Sequence, residues 1–216
     1  MKYEAVLLDM DGTVLDTVQD IQDSLNVSLR EFNLPEVDTA KTKANLGNAS
    51  RYLITHCVPE GTPEELTEKV LEFYLPYYDA HSHIKTSPYE GILDLMGNLK
   101  NSGLRLAIIS NKPMNTVKEL AEEFFPGKLE CAVGQSDELR RKPEPDMVFK
   151  VLEDLGLSVD KCVYVGDSEV DIKTARNAGM DCISVSWGFR TREQLEEAGA
   201  SRIADSVDEL FNIITE

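Results

Sequence analysis

Four short apolar runs, each closed by polar or glycine residues, set the architecture of this chain: Ala5-Val6-Leu7-Leu8, Leu104 to Ile109, Cys162 to Val165 and Cys182 to Val185. Runs this short and this apolar are what strands covered on both faces require. Between them lie longer stretches with helical periodicity, such as Ile92-Leu93…Met96…Leu99 and Met147-Val148…Val151-Leu152…Leu155. The alternation predicts an α/β fold, a doubly wound parallel sheet with helices on both faces. Ser87-Pro88 is expected to open one helix and Gly103 to end it. Asn111-Lys112-Pro113 is expected to open the next, and Gly156 to close the one after that.

From about Leu15 to Thr86 the strand signal lapses. Ile21, Leu25, Val27-Ser28-Leu29 and Phe32 mark one helix that Pro35 stops; Glu64 to Tyr78 marks another, followed by a polar linker over Asp79 to Thr86. The expected organisation is a core made of residues 1–14 and 87–216 with a helical unit, residues 15–86, inserted after the first strand. At 216 residues the chain is long enough for one sizeable core and a smaller insert.

A formal net charge of −17 repels nucleic-acid backbones and anionic membrane surfaces, so any anionic ligand must be met by local positive charge. Cys57, Cys131, Cys162 and Cys182 stand singly, without zinc-type spacing, as small buried thiols of a reducing compartment do. The first residues lack a basic segment leading into an apolar run. No stretch approaches the roughly 20 apolar residues needed to span a bilayer, and a cytoplasmic protein is expected.

In a doubly wound sheet, ligands bind beyond the carboxyl ends of the strands. Four segments fall there. Asp9-Met10-Asp11-Gly12-Thr13 sets two acids at a strand end; by itself it could be an Asp-rich turn. Ser110-Asn111 offers a hydroxyl and backbone N–H groups at what reads as a helix start, suited to a phosphate but equally to an ordinary cap. Lys142-Pro143-Glu144-Pro145 holds a lysine on a stiff approach to a helix. Gly166-Asp167-Ser168-Glu169-Val170-Asp171 places Asp167 at a strand tip with Asp171 on the following helix. Together, Asp9, Asp11, Asp167 and Asp171 would crowd one sheet edge. Like charges about 4 Å apart repel by roughly 4 kcal/mol at an effective dielectric near 20, so the cluster calls for a cation or raised pKa values. Mg²⁺, hard and oxygen-seeking, is the natural cation.

These four motifs, in this order, resemble those of the haloacid dehalogenase superfamily, and most closely its phosphoglycolate phosphatase branch, over nearly the whole chain. The resemblance implies a Rossmann-like core with a helical cap. It implies that Asp9 attacks phosphorus to form an aspartyl-phosphate, and that Asp11 protonates the leaving alkoxide and then activates water. Asp9, the Asp11 main-chain carbonyl and Asp167 would hold Mg²⁺, Asp171 would support the metal-bound waters, and Ser110, Asn111 and Lys142 would bind the transferring phosphoryl group.

In the insert, Leu46-Gly47-Asn48-Ala49-Ser50-Arg51 is similar to the glycine-rich cap loop of that branch, with Ala49 where a further glycine is common. Asn48 and Arg51 are the candidate substrate contacts, Arg51 for a carboxylate; a solvated helix arginine is the plain alternative. His81 and His83 form an HxH with no third ligand nearby, which favours an exposed linker. Trp187-Gly188-Phe189-Arg190 resembles a loop at the active-site rim, though both aromatics read as packing residues. The expected partner is a small phosphorylated metabolite, 2-phosphoglycolate first, and no nucleic acid or membrane. A β-phosphoglucomutase-type mutase, an inorganic pyrophosphatase and a non-enzymatic phosphate-binding module remain as alternatives. A dehalogenase needs no acid at Asp11, and no cap lysine stands out for a phosphonate hydrolase.

Overall fold

A computed structural model describes residues 2–216. The chain divides into two compact units, Met1–Leu15 with Pro88–Glu216, and Asp16–Ser87. The first is built on a six-stranded parallel sheet. Its strands are β1 (Ala5–Leu8), β4 (Arg105–Pro113), β5 (Cys131–Gln135), β6 (Cys162–Gly166), β7 (Asp181–Val185) and β8 (Ile203–Ala204), in the order β5-β4-β1-β6-β7-β8. The chain winds outward from β1 through β4 to β5, then returns to β6 on the other side of β1. The direction of winding therefore reverses between β1 and β6, where such sheets open a crevice.

The pleat explains why the runs are so largely apolar. Val6, Leu8, Leu106, Ile108, Val163 and Val165 face helices α5 (Ile92–Asn101), α6 (Met114–Phe124) and α10 (Val207–Thr215). Ala5, Leu7, Ala107, Ile109, Cys162 and Tyr164 face α7 (Asp146–Leu155) and α8 (Glu169–Ala178) on the opposite side. Alternate residues of a strand serve two different cores, so apolar residues dominate both sets of positions. All four cysteines are free, and burial pushes the thiols of Cys57 and Cys162 up to about 11 and that of Cys182 to about 12.

Several local expectations are corrected. Beyond β2 (Leu15–Asp16), Ser87–Pro88 is a short strand, β3, and α5 begins at Ile92 after Gly91, because Tyr89 N–H donates to the Val14 carbonyl and keeps the chain extended. Strand β4 runs through Ser110 and Asn111 to Pro113, so those residues sit on a strand end and α6 starts only at Met114. Strands β5 and β8 carry no apolar run of their own and are recognisable only from their neighbours.

The second unit is helical: α1 (Val18–Glu31), α2 (Thr39–Ala44), α3 (Ser50–Cys57) and α4 (Glu64–His81). Helix α4 passes through Pro76 and takes in residues 79–81, which the polar sequence pattern assigns to a linker. Stacking of Tyr74 on Tyr78 and of Tyr77 on His81, together with a His81 Nδ1 contact to the Tyr77 carbonyl, holds that last turn. Beyond it the buried Asp20 carboxylate accepts the N–H groups of Lys85 and Thr86 and the Thr86 hydroxyl at 2.8–3.0 Å, tying the return segment to α1. Among the described residues, no helix is long and apolar enough to cross a membrane.

Ala49, which precedes α3, has φ 78° and ψ 163°, a region almost reserved for glycine. Ala49→Gly is therefore expected to stabilise the protein by about 1 kcal/mol, read as a rise in Tm of a few degrees.

Candidate functional site

The four strand-end segments converge within the first unit. Asp9 leaves β1, is buried, and its Oδ1 accepts from Met10 N–H at 2.7 Å and from Lys142 Nζ at 2.8 Å. Asp167 leaves β6 on the far side of the switch point. Asp171 lies in the first turn of α8 and is fully buried. One carboxylate oxygen from each of these three lies within 4.8 Å of the others. Among the described residues, no other group of three acid, histidine or cysteine side chains approaches so closely.

Each acid is held differently. Asp171 Oδ1 accepts from Lys142 Nζ at 2.8 Å and from the Tyr164 hydroxyl at 3.3 Å, while Oδ2 accepts Ser168 N–H and Oγ at 3.1 and 2.6 Å in a capping box. Both of its oxygens are thus committed to protein donors. Asp167 is wedged between two glycines: a Cβ on Gly12 or on Gly188 would come within 2.3 Å of Asp167 Oδ2. Its Oδ2 accepts the Phe189 N–H at 2.6 Å, and the Thr13 hydroxyl lies 3.3 Å from Oδ1. Asp11 is half-buried; Lys112 Nζ lies 2.9 Å from its Oδ1 and the Ser110 hydroxyl 3.4 Å from its Oδ2.

Lys142 is the cationic centre. Its main chain is gripped by the Asn111 amide, which accepts the Lys142 N–H at 2.8 Å and donates to its carbonyl at 3.2 Å. The ammonium bridges Asp9 and Asp171. Burial works against its charge, yet Asp171 and Asp9 outweigh it and hold the pKa well above the usual lysine value. Burial, and then repulsion from Asp171, drive Asp9 well above the ordinary carboxylate range and lift Asp167 to about 7. Four carboxylates face two ammonium groups, Lys112 and Lys142, which leaves two negative charges when all are ionised. The hard oxygen donors, the raised pKa values of Asp9 and Asp167 and this residual charge fit a divalent cation.

The structure gathers Asp9, Asp11, Ser110, Asn111, Lys142, Asp167 and Asp171 at one sheet edge. Asn48 and Arg51 belong to the helical unit, where Arg51 forms a two-point ion pair with Glu68. Sequence reasoning gives no role to Thr13, Lys112, Tyr164 or Ser168, and none to the Gly188-Phe189 backbone beyond a place at the rim of the site. Ser168 could have been found, since Ser-x-x-Asp before a helix is a capping signature. The Trp187 loop combines both readings: Phe189 is buried and Trp187 packs on the core, while the indole N–H donates to the Thr13 carbonyl at 3.1 Å. Arg190 in turn pairs with Glu169 through two bonds, at 2.8 and 3.0 Å.

Residues 6–185 match the family described as haloacid dehalogenase-like hydrolase. The chain belongs to that family. Within the haloacid dehalogenase-like hydrolases it is similar to a candidate phosphoglycolate phosphatase of Lactobacillus delbrueckii subsp. bulgaricus, whose crystal structure shares 39% identity over 99% of both chains with a TM-score of 0.95. Phosphoglycolate phosphatase 1 of Pseudomonas aeruginosa is 29% identical over 95% of this chain and 78% of its own, and the phosphoglycolate phosphatase of Rhodospirillum rubrum is 30% identical over 94% and 87%. CbbY of Rhodobacter sphaeroides, solved in complex with phosphate, is 25% identical over 96% of each chain with a TM-score of 0.76. This haloacid dehalogenase-like hydrolase is a phosphatase of the phosphoglycolate phosphatase-like branch.

Proposed function

We propose that this phosphatase hydrolyses a small phosphomonoester, 2-phosphoglycolate first, through an aspartyl-phosphate on Asp9. The observation that carries the reading is the setting of Asp9: a buried carboxylate whose Oδ1 is pinned by Met10 N–H and Lys142 Nζ, leaving Oδ2 as the attacking atom. As Asp9 Oδ2 bonds to phosphorus, the bond to the ester oxygen breaks and Asp11 gives that oxygen its proton. Asp11 then takes a proton from the water that attacks phosphorus, and Asp9 is released as a carboxylate. Lys142 offsets the repulsion between Asp9 and the phosphate, and Ser110 steadies a phosphoryl oxygen.

Mg²⁺ would be held by Asp9 and Asp167 with the Asp11 main-chain carbonyl, supported by Asp171, and would supply further neutralisation of the phosphate charge. In the protein without metal, carboxylates whose pKa is raised on folding contribute stability below about pH 4, and that stability is lost as pH rises through about 7, the Asp167 value. Mg²⁺ competes with those protons. Its stabilising effect on Tm is expected to be small at pH 5 and to grow by several degrees toward pH 8, measured by thermal melts with and without the ion.

The helical unit, Asp16–Ser87, is assigned as the cap, with Asn48 and Arg51 as its substrate contacts. The Arg51–Glu68 pair is exposed, and such pairs are weak, so Arg51 can exchange Glu68 for a substrate carboxylate. Phosphate release from a panel of esters tests the assignment. The highest kcat/KM is expected for 2-phosphoglycolate, and Arg51→Ala is expected to raise KM for it about tenfold while leaving phosphate esters of simple alcohols, which lack the carboxylate, unaffected. Faster turnover of pyrophosphate, or isomerisation of β-glucose 1-phosphate, would overturn the substrate.

A further inference from the structure

Lys112 has no part in the scheme above, yet it is the second nearly buried ammonium at the site, 8% exposed, with Nζ 2.9 Å from Asp11 Oδ1. Its backbone joins the same arrangement. Lys112 N–H donates to Ser110 Oγ at 3.2 Å, and Ser110 Oγ lies 3.4 Å from Asp11 Oδ2. The end of β4 thus reaches both oxygens of the Asp11 carboxylate, from Lys112 on one and Ser110 on the other. The bonds are unequal: the lysine contact is short and charge-assisted, the serine contact long and weak.

We infer that Lys112 is a positioning residue for Asp11, fixing which of its two oxygens handles the proton. The inference rests on the reading of Asp11 as the acid and base. When the Ser110 hydroxyl turns to a phosphoryl oxygen, Lys112 keeps Oδ1. The charge-assisted contact then opposes rotation of the carboxylate, and Oδ2 is the atom presented to the ester oxygen. In the first step the Oδ2–H bond breaks, the proton goes to the departing oxygen as the P–O bond breaks, and the Asp9–phosphorus bond forms. In the second step Oδ2 takes a proton back from water as the water oxygen bonds to phosphorus and the Asp9–phosphorus bond breaks. Lys112 exchanges nothing in either step. A floppy Asp11 would lose much of the benefit of a well-placed acid, which is worth about 10² to 10⁴ in rate.

The demand for an acid depends on the leaving group, and this separates positioning from general support of the fold. A p-nitrophenolate departs without a proton; a simple alkoxide does not. Leaving-group release is followed in a single turnover with enzyme in excess, so that only the first step is read, using p-nitrophenyl phosphate and an alkyl phosphate in Mg²⁺. Lys112→Met is expected to slow the alkyl ester about 100-fold and the aryl ester less than about threefold, and Lys112→Arg to restore most of the alkyl rate. Equal losses on both esters, or no loss on either, would overturn the inference. Asp11→Asn run alongside distinguishes the two levels: if it fails to discriminate between the esters, the acid role of Asp11 falls and Lys112 with it. If Asp11→Asn discriminates and Lys112→Met does not, Lys112 alone falls. Circular dichroism checks folding, and Lys112→Gln, uncharged and of similar reach, replaces Lys112→Met if that variant does not fold.

Discussion

Asp9→Asn is expected to lower phosphate release by on the order of 10⁴-fold or more, because the amide oxygen cannot serve as the nucleophile and nothing else at the site is placed to replace it. The same substitution should leave the metal-free protein as stable as before, or more so. Asp9 is ionised only against burial and against the neighbouring Asp171, so a neutral amide removes an unfavourable charge, while Asn Oδ1 can still accept from Met10 N–H. Circular dichroism melts beside the rate measurement separate the two effects. A drop in Tm of many degrees would mean that the loss of activity reports unfolding rather than chemistry.

Lys142→Met is expected to act on both stability and rate. Removing the ammonium that bridges Asp9 and Asp171 leaves two buried carboxylates without their counter-charge, a change that typically costs about 3–5 kcal/mol. The protein can reduce that loss by protonating Asp9, whose pKa is already raised and would rise further without the lysine. The destabilisation should therefore be smaller at pH 5 than at pH 8, as denaturant melts at the two values would show. Turnover should fall by about 10³-fold or more, since attack by an anion on an anionic phosphate loses its nearest fixed positive charge.

The features that are legible in the sequence share a physical cause. Strands β1, β4, β6 and β7 declare themselves because most of their residues serve one of two cores, so each carries a largely apolar run. The site acids can be placed because the end of a buried strand fixes the position of the next residue along the chain: Asp9 after β1 and Asp167 after β6 need no knowledge of side chains. The hidden features depend on contacts between distant segments. Strand β5, with Cys131, Ala132 and Gly134, has too little apolar character to be recognised without β4 beside it. The extension of β4 through Ser110 and Asn111 is masked by residue types that ordinarily cap helices. The grip of Asn111 on the Lys142 backbone, the contact of Lys112 with Asp11, and the Phe189 N–H on Asp167 link residues that are respectively 31, about 100 and 22 positions apart. No local pattern encodes such pairings. Lys112 is in plain view within the Ser110-Asn111-Lys112 segment, but its partner is not.

The shell around Asp167 shows how packing serves chemistry. With Gly12 on one side and Gly188 on the other, the carboxylate occupies a slot that any side chain at either position would fill. The loop that supplies Gly188 is anchored by the Trp187 indole on Thr13 and by the Arg190–Glu169 pair. Aromatic packing at one end of the loop thereby fixes a hydrogen-bond donor at the other.

Whether Asp9 carries the phosphoryl group is tested most directly by a rapid acid quench of enzyme mixed with Mg²⁺ and radiolabelled 2-phosphoglycolate, followed by peptide mapping. Label is predicted on the peptide that contains Asp9, released by hydroxylamine as an acyl phosphate is, and absent from Asp9→Asn. Full turnover with no label on that peptide at any quench time, together with an active Asp9→Asn enzyme, would contradict it.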